Sequence, residues 1–146
     1  LQKKTMKKII ITTTLLLILC CKQKSESPVV SEQPFTSSKV FFKNLNDGDT
    51  VVSPVVVEMG VTSMKIKPAG ALEVGTGHHH IIVDGGFINY GEIIPMDETH
   101  LHYGKGDSVA QVNLSKGEHT LSLQFANGLH MSYGEQFSKT ITVYVK

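Results

Sequence analysis

The chain contains no arginine and no tryptophan, and its two cysteines stand side by side at Cys20 and Cys21. Without arginine it lacks the bidentate fork that phosphate sites usually recruit. The charge balance argues the same way. The formal net charge is +1, from 14 lysines and 13 acids, but four of those lysines fall in the first eight residues. Without that leader ten lysines face thirteen acids, a net of about −3. A mildly acidic domain has no basic footprint for nucleic acid. With no cysteine beyond Cys21, the rest of the chain has no internal disulfide, no thiolate ligand and no cysteine nucleophile. Blue-copper sites and cysteine hydrolases are thereby excluded. No apolar run reaches the roughly 20 residues that a transmembrane helix requires. No stretch holds a helical period for ten residues. There is no Gly-x-Ser-x-Gly elbow. Gly75-Thr76-Gly77 lacks the lysine and Ser/Thr that complete a phosphate loop. The adjacent carboxylates Asp97 and Glu98 would point apart on a strand, which leaves little for a glycosidase reading.

What is present begins with an address. Taking Met6 as the start, Met6-Lys7-Lys8 is followed by the mostly apolar Ile9 to Leu19 and then Cys20-Cys21. A positive end and a short apolar core describe a secretory signal. Leu17-Ile18-Leu19-Cys20-Cys21 resembles the lipobox of bacterial lipoproteins. That resemblance implies a signal peptide over residues 1–21, lipidation at Cys21, and a cell-envelope protein anchored to a membrane, facing the periplasm or the cell surface. Residues 22–38 read KQKSESPVVSEQPFTSS. Rich in Ser, Gln, Glu, Lys and Pro, they form a flexible tether.

Residues 39–146 form one domain, and hydrophobic content of 40% is enough for a core. Its pattern is β throughout. In His119 to Phe125, Leu121, Leu123 and Phe125 alternate onto one face. In Phe137 to Val145, Phe137, Ile141, Val143 and Val145 are in phase. Asp84-Gly85-Gly86 between Ile81-Ile82-Val83 and Phe87-Ile88-Asn89-Tyr90 predicts a hairpin. Short strands with frequent turns predict an all-β, immunoglobulin-like antiparallel sandwich of about seven strands.

The seven histidines all lie between His78 and His130. On a strand, residues two apart share a face, so His78 can point with His80, and His100 with His102. Two such pairs brought together by sheet packing present several imidazoles to one ion. Imidazole suits zinc, copper, nickel and iron. Asp97 and Glu98, just before the second pair, are candidate ligands or acceptors for an imidazole N–H. His119 has the spacing of a sandwich corner, where a side chain bonds back to the backbone. His130 and Met131 follow the Asn127-Gly128 turn, a weak hint of copper.

Three runs carry a resemblance. They are Gly77-His78-His79-His80-Ile81-Ile82-Val83-Asp84, then Glu98-Thr99-His100-Leu101-His102-Tyr103-Gly104-Lys105-Gly106, then Leu114 to Leu121. In this order they resemble the bacterial family named domain of unknown function 4399, over roughly Val55 to Val145. The matching positions are His78, His79, His80, Asp84, Glu98, His100, His102 and His119. The family pattern has a further His-rich stretch after the last run. Here Ala126 to Tyr133 keeps only His130. The resemblance supports the fold and the motif map and names no activity.

The resulting expectation is an exported, membrane-anchored domain that binds copper or zinc. Its candidate ligands are His78, His79, His80, His100 and His102, with Glu98 and His130 as further candidates. At least three imidazoles, drawn from both clusters, should converge. Binding should weaken as pH falls through about 6.5. The alternative is an interaction or assembly module of the envelope, with an envelope protein as partner and the histidines in a structural polar network. A small metalloenzyme with an open coordination position is a third reading. Nothing names a reaction or calls for an organic cofactor, so binding stands ahead of catalysis.

Overall fold

The computed structural model describes residues 40–146. The expected signal peptide over residues 1–21, with Cys21, and the expected tether over residues 22–38 lie outside the described residues.

Alternation builds the larger elements. In β3 (Val55–Val61), Val55, Val57 and Met59 are buried on one face. In β8 (Gly117–Ala126), Leu121, Leu123 and Phe125 have no exposed surface. In β9 (Ser138–Val145), Ile141 and Val143 do the same, and Phe137 joins them from the 3₁₀ turn Glu135–Phe137. Each fully buried large aliphatic side chain contributes about 1.5–3 kcal/mol. β1 (Val40–Phe42), β3 and β7 (Val109–Val112) form a three-stranded sheet. The second sheet runs β2 (Asp49–Val51), β9, β8, β5 (Thr76–Val83). The free edge of β5 is divided between β4 (Lys65–Ile66) and β6 (His100–His102). Their buried faces share one core.

This is an all-β sandwich of nine strands rather than about seven. The order β1-β3-β7 against β9-β8-β5 matches the A-B-E and G-F-C strands of an immunoglobulin sandwich. The pairing is not wholly antiparallel: β2 runs parallel to β9, and β4 parallel to β5. The additional strands are pieces of two or three residues, too short to show a period in sequence.

β5 is buried along seven of its eight residues. His79 and Ile81 face the core opposite Phe125 and Leu123 of β8. His78, His80 and Ile82 face outward, yet they too are buried. Two chain segments cover them. Ser122 donates to Gly85 O (2.6 Å), and Gln124 Oε1 accepts from Ile88 N (3.0 Å). Gln124 Nε2 donates to Gly134 O (3.1 Å), and Tyr133 donates to Thr76 O (2.8 Å). The two covers are joined by Ser132 N donating to Glu92 O (2.8 Å) and Ile94 N to His130 O (3.0 Å).

That arrangement corrects the expected hairpin at Asp84-Gly85-Gly86. Phe87 to Tyr90 is not a strand. Asp84 takes φ 54°, and its carboxylate is held by His119 and Thr120. The chain therefore leaves across the outer face, and β5 finds its antiparallel neighbour later, at β6.

Candidate metal centre

The strand pleat sends His78 and His80 to the outer face of β5. β6 pairs antiparallel with His102 directly opposite His80, so His102 joins the same face. The fourth ring comes from the cover. Asn127 Oδ1 accepts from Leu129 N (2.9 Å) and Met131 N (3.1 Å), and His130 N donates to Asn127 O (3.0 Å). This tight turn puts His130 at φ 64°, a conformation uncommon outside glycine. Gly70 N donates to Gly128 O (2.9 Å), and a Cβ at Gly128 would strike the Ala71 carbonyl. The turn is thus pressed into place by its neighbours.

The Nε2 atoms of His78 and His80 are 3.0 Å apart, and those of His102 and His130 are 3.1 Å apart. One ligand nitrogen each from His78, His80 and His102 lies within 4.8 Å of the others. The His130 ring centre is 4.7 Å from that of His102 and 5.1 Å from that of His78. His78 and His80 are buried, while His102 and His130 are partly exposed. His102 borders a cavity of about 440 Å³ shared with Gly104, Lys105 and Asp107. A Cβ on Gly104 would collide with the His102 ring, so only glycine lets the imidazole lie there.

Burial sets the protonation state. Desolvation, then the neighbouring His102 and His130, pushes His78 down to about 4. His80 falls further, again chiefly by desolvation and then by its imidazole neighbours. Desolvation followed by His130 lowers His102. His78 and His80 are therefore neutral well below the ordinary 6.5, with lone pairs free to donate, and His102 is shifted in the same direction. For His78 and His80 the loss of the lone pair expected at about pH 6.5 accordingly moves lower. Nδ1 of His78 and of His80 are buried without a hydrogen-bond partner.

The other candidates lie elsewhere. His79 points to the opposite face of the sheet, edge-on to Phe125 at 5.0 Å, with neither ring nitrogen partnered. His100 lies opposite Ile82, and its Nδ1 pairs with Asp97 Oδ1 at 2.8 Å. Glu98 is exposed. His119 fills the corner position: Nε2 lies 3.1 Å from both Ser115 O and Ser115 Oγ, and Nδ1 lies 2.9 Å from Asp84 Oδ2. In the neutral ring Nδ1–H donates to Asp84 and the Ser115 hydroxyl donates to Nε2. Burial opposes ionisation of Asp84, but bonds from His119 and Thr120 outweigh it and hold the carboxyl below its usual range. Ser115, His119 and Asp84 have the connectivity of a nucleophile–base–acid triad. Ser115, however, sits on an exposed turn and lines neither this cavity nor the one at Ser63 to Thr76. The sequence placed His130 only among the further candidates, and no spacing rule pointed to Gly104.

Three imidazoles whose ligand nitrogens converge, with the His130 ring beside them, define a histidine-centred domain on the covered face of a β-sandwich, with a site compatible with a metal ion. The family model described as Domain of unknown function (DUF4399) matches residues 57–146, and the chain belongs to that family. No curated protein and no solved structure matches the chain.

Proposed function

We propose that this chain is an exported, lipid-anchored envelope protein whose sandwich binds one copper or zinc ion through His78, His80, His102 and His130. The observation that carries this reading is the convergence of ligand nitrogens from β5 and β6 within 4.8 Å. The lowered pKa values of His78, His80 and His102 support it, because a neutral imidazole can donate to a metal without first releasing a proton. The partly open side at His102 gives an ion a way in.

The rival reading is a structural polar network within an interaction module. Against it stands the facing of Nε2 on Nε2, 3.0 Å for His78–His80 and 3.1 Å for His102–His130, which turns the rings toward one another rather than toward backbone partners.

The test is elemental analysis of the full chain, purified without an affinity tag after exposure to zinc or copper. About one ion per chain is expected. None should remain in the doubly substituted His80→Ala, His102→Ala protein, with circular dichroism confirming that it is folded. A wild-type chain that retains no ion, or a double variant that retains it fully, would refute the proposal. The anchor rests on the apolar run before Cys20-Cys21. Cys21→Ser should lose lipid labelling and membrane association, while Cys20→Ser should keep both.

A further inference from the structure

We infer that the four-histidine site is shaped for a d¹⁰ ion in tetrahedral coordination, Zn²⁺ or Cu⁺, and against ions that favour tetragonal geometry, such as Cu²⁺ and Ni²⁺. This rests on the metal-binding reading above and goes beyond it by assigning the geometry.

The ring separations carry the argument. A nitrogen 2.0–2.1 Å from an ion, in a ring pointing straight at it, puts the ring centre about 3.2 Å away. Four such rings in a tetrahedron have all six centre-to-centre distances near about 5.2 Å. In a square plane four distances are about 4.5 Å and the two diagonals about 6.4 Å. The observed values are 4.8 Å for His78–His80, 5.0 Å for His78–His102, and 5.1 Å for His78–His130. They are 5.0 Å for His80–His102, 6.1 Å for His80–His130, and 4.7 Å for His102–His130. Only one distance is long. If His80–His130 were a diagonal of a square, His78–His102 would be the other, and it is 5.0 Å. The set is a tetrahedron opened along one edge.

The framework resists flattening. His78 and His80 sit on a strand buried on both faces and registered against Ala126 and Gln124 of β8. His102 is set by its pairing with His80 and by the close approach of Gly104. His130 is fixed by the Asn127 turn. A d¹⁰ ion has no d-electron preference and accepts this geometry, whereas Cu²⁺ and Ni²⁺ lose ligand-field stabilisation in it.

The experiment uses Co²⁺ as a spectroscopic probe, added to the tag-free full chain in the absence of oxygen. Intense visible bands of four-coordinate cobalt are expected. Displacement by one equivalent of Zn²⁺ marks zinc as an occupant and displacement by Cu⁺ marks copper; either supports the assignment. Zn²⁺ should also outcompete Ni²⁺ by about tenfold or more, against the ordinary order for an unconstrained site. His130→Ala, on the partly exposed turn, should shift the visible bands, as water replaces the fourth imidazole, and weaken cobalt binding while the protein stays folded; an unchanged spectrum and affinity would remove His130 from the site and overturn the four-histidine geometry. A pale six-coordinate cobalt spectrum, or Ni²⁺ binding as tightly as Zn²⁺, overturns the geometry while leaving metal binding intact. No uptake of any of these ions overturns both readings.

Discussion

An imidazole buried in a hydrophobic core with both nitrogens unpartnered is a liability, and His79 is in that position. Desolvation, then Lys43 and His78, holds it neutral by pushing its pKa to about 4. Neutrality avoids a buried charge but leaves the N–H and the lone pair unmet. Leucine has a similar volume and no polar atoms. His79→Leu is therefore expected to stabilise the fold by about 1 kcal/mol, read as a raised denaturation midpoint. Metal uptake should be unchanged, because the ring points away from the cluster. Destabilisation by more than about 1 kcal/mol would show that the imidazole has a partner in solution. At this scale the sequence was half legible. Strand alternation put His78 with His80 and grouped His100 with His102; that His102 alone lies opposite His80 comes from the β5–β6 register. Alternation could not show that Asp97, three residues earlier, captures His100. Nor could it show that a turn in left-handed conformation delivers His130, because such a delivery depends on tertiary packing and has no periodic signature.

Among the elements, β8 and β9 were legible because their outward residues are polar. Ser122 and Gln124 interrupt Leu121, Leu123 and Phe125, so the period of two survives. β5 gave a weaker signal because both its faces are covered, and its His-His-His-Ile-Ile-Val does not alternate. The cover after Asp84 was misread as a hairpin because Asp-Gly normally closes one. Here Asp84 instead clasps the start of β8 through His119 Nδ1 (2.9 Å) and Thr120 N (3.0 Å). That clasp joins the end of β5 to the Ser115 turn. His119→Ala removes the bond to Asp84 and the one from the Ser115 hydroxyl together. A loss of about 1–2 kcal/mol is expected, measured by urea denaturation. Asp84 lies four residues from His80, the nearest histidine of the cluster in the strand, about 13 Å along an extended chain. Metal stoichiometry should therefore be preserved, and a variant that loses its ion while remaining folded would tie this corner to the site.

For the whole molecule, burying neutral histidines makes stability a function of pH. In the unfolded chain these side chains titrate near the ordinary 6.5; in the fold His78 and His79 stay neutral to about 4, and His80 lower still. Below 6.5 the unfolded state binds protons that the folded state refuses. The stabilisation is complete above that value and drains away as pH falls towards the folded pKa. Each such group tilts the balance by up to about 1.4 kcal/mol per pH unit. The ion-free protein should show a plateau in thermal midpoint above about pH 7 and a steady decline from about 6.5 to 4. The decline should be shallower in His79→Leu, which has one fewer buried ring. An ion bound to the folded state adds stability by mass action, about 2.7 kcal/mol at a hundredfold excess over Kd. Because His78 and His80 keep their lone pairs well below 6.5, the gap between metal-bound and ion-free midpoints should persist at pH 5.5. Ordinary surface histidines would already have released the ion there. Calorimetric scans of both forms from pH 7.5 to 4.5 measure this gap. Its closure as pH crosses 6.5 would mean that burial does not hold the cluster neutral.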